Sequence, residues 1–290
     1  MGETKMEAAI FFDSYLPDAL QRALDYAGQD GFVASLPQLL HARVRAPYDN
    51  EVWCQWFTPN SEESVIRTPQ GNHVMITVHG GGIFGSADRF ELLFRSDTNR
   101  FCKTSFTGLF AGKLTDREES SILNGKLTDG TEFPVYPYAE FQQGMADLPR
   151  RYGVVMDFAM ARRCHNGYTG FDALKDDPLM IVRAGGAGAA HTYLDVAQRR
   201  NDTDKMGSWH PFNSIKDIDQ AQAYVPDLAG NTGGRGSAEN DFHLYGKDSD
   251  YGIGADGDIH STSMIDVARY IAVAPRDEST SVRNLSFNRD

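Results

Sequence analysis

The sequence predicts an α/β or α+β protein. We expect a mixed sheet flanked by helices, with a helical hairpin at the N-terminus and an irregular, Gly/Asp-rich C-terminal third. Three observations predict this class. The first 45 residues repeat apolar side chains at helical spacing. Short apolar runs in the middle of the chain are typical of buried strands. Residues 227–259 contain 8 glycines among many aspartates and asparagines, a composition typical of irregular chain.

Two N-terminal segments form the predicted helical hairpin. Pro17 lies in a start signal for the first helix, and Gly28 stands where a C-terminal cap is wanted. Ser35 begins the second helix, with Pro37 in its first turn. Both segments carry leucines at helical spacing, and together they predict a helical hairpin or a lid.

Four short apolar segments are predicted as strands. They are residues 52–57, 73–79, 152–158 and 179–182. A polar stretch at 59–71 separates the first two. The last leads through a Gly-rich turn into a helical pattern at 189–199, which predicts a strand–turn–helix unit. A further helix is predicted after Thr115, because Thr115 and Glu118 have capping-box spacing.

The change in composition near residue 200 predicts two units. Residues 1–200 would form the mixed core with the helical hairpin, and residues 201–290 a loop-rich extension that packs on it. Within the extension, a helix at 263–270 and a strand at 270–274 are predicted before a polar tail.

Composition argues against several function classes. With 28 Lys and Arg against 40 Asp and Glu, the formal net charge is −12, which disfavours a protein that binds nucleic acid by neutralising phosphates. Three cysteines, an odd number, fit a reducing compartment rather than a dense disulfide framework. No apolar run approaches the roughly 18 residues of a membrane span. The sequence therefore predicts a soluble cytoplasmic protein with no nucleic-acid and no membrane partner.

His79, Gly80, Gly81 and Gly82 directly follow the predicted strand 73–79. This turn resembles the His-Gly-Gly-Gly strand end of lipase- and esterase-type α/β-hydrolases. In that family the glycine amides point at the developing oxyanion of acyl transfer, so the resemblance implies an anion-binding turn. The chain departs from the family because it has no Gly-x-Ser-x-Gly pentapeptide to hold a nucleophile. The alternative is a tight strand-to-loop turn.

A second candidate anion site lies at Arg183, Gly185, Gly186 and Gly188, before the predicted helix 189–199. Glycines allow a close backbone approach, a helix N-terminus presents unpaired amides, and the arginine adds a positive charge. These features predict binding of a phosphate or carboxylate group. The alternative is an ordinary strand-to-helix turn.

Three polar side chains near this turn are candidate catalytic groups. Asp157 lies near the C-terminal end of a predicted strand, a common position for active-site carboxylates. His165 follows it, and His191 near the start of the predicted helix could face the anion site. Each could act as a general acid or base, although each alone is also typical of a structural residue.

Four aspartates alternate with glycines late in the chain and suggest a metal site. They are Asp248, Asp250, Asp256 and Asp258. Carboxylates on a flexible loop suit Ca²⁺ or another divalent cation, because the loop can direct its oxygens inward. The alternative is a solvated acidic loop.

Two functions remain open from the sequence. The first is a soluble enzyme, a hydrolase or group transferase, that acts on a phosphate- or carboxylate-bearing small molecule. The alternative is a self-assembling structural subunit, such as a coat, shell or filament protein, without catalytic activity. A small-molecule ligand follows from the first and a homo-oligomer from the second. An irregular C-terminal third that needs neighbours to order it motivates the alternative.

Overall fold

The computed structural model describes residues 5–13, 15–96, 112–145, 147–200, 204–213, 215, 221–228, 259–260 and 268–276. These residues form an α+β structure in which sheets are flanked by helices. Two of the sheets mix parallel and antiparallel pairs. The predicted fold class is confirmed. Within this described part of the chain, every helix is too short or too polar to span a lipid bilayer.

The described strands are β1 (Lys5–Asp13), β2 (Phe32–Val33), β3 (Ser61–Arg67), β4 (His73–His79), β5 (Gly112–Lys113), β6 (Val135–Pro137), β7 (Tyr152–Asp157), β8 (Gly167–Gly170), β9 (Lys205–Trp209), β10 (Gln222–Tyr224), β11 (Asp227–Leu228), β12 (Ile259–His260) and β13 (Ala268–Arg276).

The described α-helices are α1 (Leu16–Ala27), α2 (Leu36–Arg45), α3 (Glu51–Cys54), α4 (Ala87–Ser96), α5 (Asp116–Leu123), α6 (Tyr138–Phe141), α7 (Phe158–Ala161), α8 (Phe171–Lys175), α9 (Pro178–Ala184) and α10 (Ala187–Arg200).

A six-stranded sheet divides the interior into two apolar cores. Its strand order is β5-β10-β3-β4-β7-β6, and β4 pairs in antiparallel fashion with β3 on one side and β7 on the other. Successive side chains of a strand point to opposite faces. Met75 therefore joins the core beneath α2, α9 and α10, whereas Ile76 and Val78 join the core beneath α1 and α5. Burial of both faces explains why β4 is predictable as an apolar run.

The N-terminal and C-terminal ends of the described chain meet in a three-stranded sheet. Its order is β1-β13-β2, and β13 pairs with β1 along nine residues. The predicted strand at 270–274 is confirmed as part of β13. The predicted helix at 263–270 lies largely outside the described residues, and its last three residues belong to this strand.

Because β10 also pairs with β3, strands from both sides of residue 200 share sheets, and the predicted unit boundary there stays a prediction.

Both predicted N-terminal helices are present as α1 and α2, with β2 between them. The side-chain oxygen of Gln38 accepts a hydrogen bond from the Ser35 amide at 2.8 Å, which stabilises the start of α2. Helix α1 packs on β13 and α4, and α2 packs on α9 and α10. The two helices thus bury their apolar faces in different cores.

Two predicted strands are helices in the structure. Residues 51–54 form α3, where the Asn50 side chain accepts a hydrogen bond from the Val52 amide at 3.0 Å. Residues 178–184 form α9, where the Asp177 side chain accepts from the Leu179 and Met180 amides, both at 3.0 Å. Caps of this kind satisfy amides that a helix start leaves unpaired. The strand predictions for 52–57 and 179–182 were therefore wrong, because local capping outweighed the β-branched composition.

The stretch 59–71, which we expected to be a polar connection, contains the central strand β3. Four polar side chains of β3 are buried and hydrogen-bonded inside the protein, those of Ser61, Glu62, Glu63 and Ser64, so composition concealed the strand. The predicted capping box of α5 is confirmed. The Thr115 amide donates to the Glu118 carboxylate at 2.8 Å, and the Glu118 amide donates to the Thr115 hydroxyl at 3.3 Å.

Candidate functional site

The backbone amides of the turn after β4 form hydrogen bonds within the protein. Gly80 and Gly81 have φ of +84° and +100°, and both amides donate to the Asn60 carbonyl, at 2.9 and 3.0 Å. At Gly82, a Cβ would lie 2.6 Å from the Glu62 carboxylate, so a larger residue would require the Glu62 side chain to shift. The amides of Gly80 and Gly81 are not directed at an oxyanion, and the turn is a structural junction between β4 and β3.

His79 is a buried, neutral connector. Its Nε2–H donates to the Val182 carbonyl at 3.0 Å, since a carbonyl can only accept, and its Nδ1 accepts from the Ser61 hydroxyl at 2.9 Å. The same Ser61 oxygen accepts from the Leu36 amide at 2.9 Å. Burial lowers the pKa of His79 to about 4, so the ring is uncharged at neutral pH. The histidine joins β4, β3, α9 and α2.

Arg183 lies inside the protein and is paired with Glu63. Both side chains are 0% exposed. The Arg183 Nε donates to Glu63 Oε1 at 2.7 Å and Nη2 donates to Oε2 at 3.1 Å, a bidentate pair. Its remaining donors reach the Ser208 hydroxyl and the Trp209 carbonyl, each at 3.0 Å. The guanidinium therefore binds α9 to β3 and β9 and does not face an external anion.

Gly185, Gly186 and Gly188 connect two helices rather than a strand and a helix. Gly185 adopts a left-handed conformation and ends α9. Its amide donates to the Val182 carbonyl at 3.1 Å, and the Gly186 amide donates to the Ile181 carbonyl at 2.9 Å. These bonds satisfy the end of α9 in the manner of a Schellman cap. Gly188 lies in the first turn of α10.

The three predicted catalytic residues are held by separate local contacts. Asp157 caps α7 by accepting from the Ala159 amide at 2.6 Å. The His165 Nδ1 lies 3.0 Å from the carboxylate of buried Asp177, and the His165 amide donates to the same oxygen at 2.7 Å. The exposed His191 lies 3.8 Å from the Asp176 carboxylate.

Some of the predicted site residues line cavities, but they line two different ones. Asp157 lines an open groove that it shares with His73 and Arg162. Gly185 and Gly188 line a larger cavity of about 770 Å³ between α2, the start of β7 and α10. The structure therefore does not bring Asp157 and the glycine turn into one pocket.

The predicted metal ligands Asp248, Asp250, Asp256 and Asp258 lie outside the described residues. Among the residues that the structure does describe, no group of three or more His, Cys, Asp or Glu side chains could hold a metal ion. Calcium binding by the acidic loop stays a prediction.

Glu62, a buried carboxyl on β3, was not predicted from the sequence as a notable residue. It is 1% exposed, and burial raises its pKa to about 7. The Phe84 amide and the Ser64 hydroxyl donate to it at 2.8 and 2.9 Å. No sequence signal identified this residue, because acidic residues are normally exposed.

Tyr152 was also missed. It is 4% exposed, and it lines the 770 Å³ cavity. The sequence analysis assigned the residue to the start of an apolar strand, where an aromatic side chain is typical of a core. Its position at a cavity wall depends on α2 and α9, which lie far from it in the sequence.

No protein-family model matches the sequence, and no curated protein matches it. Comparison of structures defines the class: the chain adopts the C-type lectin fold. A solved structure that matches this chain carries the description "Accommodation of massive sequence variation in Nanoarchaeota by the C-type lectin fold". The two structures agree with a TM-score of 0.62 over 95% of this chain and 99% of that chain, at 17% sequence identity. At this identity the likeness establishes the fold alone.

The fold overturns the main functional prediction. A hydrolase or transferase acting on a phosphate- or carboxylate-bearing small molecule is wrong, and so is anion binding as its basis. The physical reason lies in the contacts of the predicted anion-binding groups. The Arg183 guanidinium and the amides of Gly80, Gly81, Gly185 and Gly186 are bonded within the protein.

Proposed function

We propose that this protein is a non-catalytic recognition scaffold. Its C-type lectin fold would carry residues that can vary widely in sequence, as described for the similar Nanoarchaeota structure. The observation that supports this proposal is the internal use of the polar groups in the core. A scaffold with its polar groups satisfied by one another keeps its shape when surface residues change.

The connection between β11 and β12 is the segment that we assign to variable residues. The two strands pair antiparallel, with Asp227 opposite His260 and Leu228 opposite Ile259. Directly opposed residues of such a pair lie about 5 Å apart, so Leu228 and Ile259, which flank residues 229–258 in the sequence, lie close together.

Libraries of variants test this assignment. One library randomises residues 238–247 in the connection, and a matched library randomises 74–78 in β4. We expect most connection variants to keep the protease resistance of the parent chain and most β4 variants to lose it, because β4 is buried on both faces. Equal losses in the two libraries would contradict the proposal.

A second candidate function is the self-assembling subunit predicted from the sequence, which is also non-catalytic. The observation that favours it is β1, a nine-residue strand at the edge of its sheet among the described strands. An edge strand offers unpaired backbone groups to another chain. Light scattering after size exclusion distinguishes the two: a particle of many subunits supports assembly, and a monomer supports the recognition scaffold alone.

A further inference from the structure

The cavity beside α2 has the size of a small-molecule site. Its volume is about 770 Å³, within the roughly 300–1,000 Å³ typical of ligand pockets. Five of its apolar lining residues come from four separate parts of the chain: Phe32, Leu40, Val44, Leu148 and Val273. A concave apolar surface of this kind favours a ligand with a substantial apolar body.

The charges around the cavity disfavour a cation. Arg45 and Arg150 line it, whereas no Asp or Glu is among its described lining residues, in a chain of net charge −12. Arg150 is itself part of the wall. Its guanidinium lies 5.3 Å from the centre of the Phe32 ring and donates to the Asp30 carbonyl at 2.9 Å.

His41 adds no charge at neutral pH. Burial, and to a smaller extent the nearby Arg45, lower the pKa of this histidine. The described lining of the cavity is therefore mostly apolar, and its charged side chains are the arginines Arg45 and Arg150.

Tyr152 lines the cavity, and its hydroxyl group is buried. The side chain is 4% exposed, and its oxygen has no hydrogen-bond partner among the described residues. Pro37 and Gly185 lie beside it and line the same cavity, and a Cβ at Gly185 would stand 3.3 Å from the Tyr152 oxygen. Burial raises the pKa of Tyr152 above its usual value, so the hydroxyl keeps its proton and can donate it. An unpartnered buried hydroxyl is unfavourable, which suggests that a ligand completes it.

We propose that this cavity binds a neutral, mainly apolar compound that accepts a hydrogen bond from Tyr152. The acceptor is a carbonyl or hydroxyl oxygen on the ligand. Binding is non-covalent and does not depend on the recognition role assigned to residues 229–258, so either proposal can fail without the other.

Two neutral fluorescent probes test the site in the full-length protein. One is 6-propionyl-2-dimethylaminonaphthalene, which carries a ketone, and the other is 2-dimethylaminonaphthalene, which does not. We expect the ketone probe to bind saturably with one probe per chain. Tyr152→Phe should weaken its binding about 3- to 10-fold, the loss expected for one hydrogen bond, and leave the affinity of the ketone-free probe unchanged. Equal affinities of the ketone probe for the two proteins would overturn the assigned role of Tyr152.

A blocking variant tests the location. Gly188 lines the cavity on α10, and a Cβ there would meet nothing within 4 Å. Gly188→Leu should therefore fold and fill part of the cavity, which weakens both probes more than 10-fold. Ser120→Leu, which adds the same side chain at an exposed position of α5, is the matched control and should change neither affinity. Absence of saturable binding, or binding that Gly188→Leu leaves unchanged, would overturn the proposal.

The melting temperature of the ligand-free protein gives a second test of the Tyr152 hydroxyl. Because the Tyr152 hydroxyl is buried without a partner, we expect Tyr152→Phe to raise the melting temperature of the free protein. A lower melting temperature would mean that the hydroxyl has a structural partner, and would overturn the proposal that a ligand completes it.

Discussion

Neighbouring glutamates on β3 illustrate how position decides the role of a residue. Adjacent side chains of a strand point to opposite faces, so Glu62 and Glu63 enter different cores. Glu63 meets Arg183 in a bidentate ion pair. Glu62 accepts hydrogen bonds from two neutral donors, the Ser64 hydroxyl and the Phe84 amide. The first carboxyl group is thus paired with an arginine, whereas burial raises the pKa of the second to about 7.

Arg183→Met is expected to destabilise the protein strongly. The substitution leaves the Glu63 carboxylate buried without its partner, and breaking a buried pair in this way costs about 3–5 kcal/mol. The free energy of unfolding, measured by urea denaturation, checks this. The double variant Arg183→Met/Glu63→Leu is the control and should recover part of the loss, because no charge then remains buried. A single variant within 1 kcal/mol of the parent would contradict the importance of the pair.

Glu62→Gln is expected to change how stability depends on pH. The pKa of Glu62 rises from its usual value near 4.5 to about 7, mainly through burial. Between these values the folded state binds more protons than the unfolded state, so the carboxyl lowers stability as pH rises and reaches its full effect above pH 7. The glutamine keeps the shape and removes the titration. The variant should therefore gain stability relative to the parent between pH 4.5 and 7, by up to about 3 kcal/mol.

Thermal unfolding of both proteins at pH 5 and pH 8 measures this difference. Glu140→Gln, which makes the same substitution at an exposed position of α6, is the matched control. His79 and His210 act in the opposite direction, since burial lowers the pKa of each to about 4 and stability is lost as pH falls from about 6.5. The stability of Glu62→Gln is therefore compared with that of the parent protein at each pH. An equal Glu62→Gln difference at pH 5 and pH 8 would refute the prediction.

At the scale of elements, local signals decided whether an apolar segment became a helix or a strand. The run Leu179–Val182 is apolar and partly β-branched, but Asp177 caps it and Pro178 occupies the first helical turn. These two residues were present in the sequence and outweighed the composition. The same reasoning applies to α3, where Asn50 provides the cap.

Strand β13 is expected to be indispensable for folding. It lies between β1 and β2, and residues 270–274 are buried. Truncation after residue 267 should abolish cooperative thermal unfolding, because β1 and β2 then lose their shared partner. Truncation after Arg276 keeps every described strand and should preserve the transition. Near-ultraviolet circular dichroism during heating measures both, and a cooperative transition in the shorter chain would show that β13 is dispensable.

At the scale of the whole molecule, contacts between distant segments formed the candidate ligand site. The 770 Å³ cavity is lined by residues from Met6 to Val273, and its buried hydroxyl belongs to Tyr152 near the middle of the chain. The two cores also depend on distant segments, because β10 inserts beside β3 after more than 150 intervening residues. Pattern analysis works over windows of about 11–18 residues and does not reach contacts of this range.

The sequence by itself determined the fold class, the strands at 73–79 and 270–274, and the capping box at Thr115. Each depends on local periodicity or on a local hydrogen bond, which the order of residues specifies directly. Tertiary structure alone decided the roles of Arg183, His79 and the glycine turns, which appear in the sequence as typical anion-binding groups. Their donors meet Glu63, Val182 and Asn60 inside the protein. Burial makes such internal bonds obligatory, and only the packed chain shows which partners satisfy them.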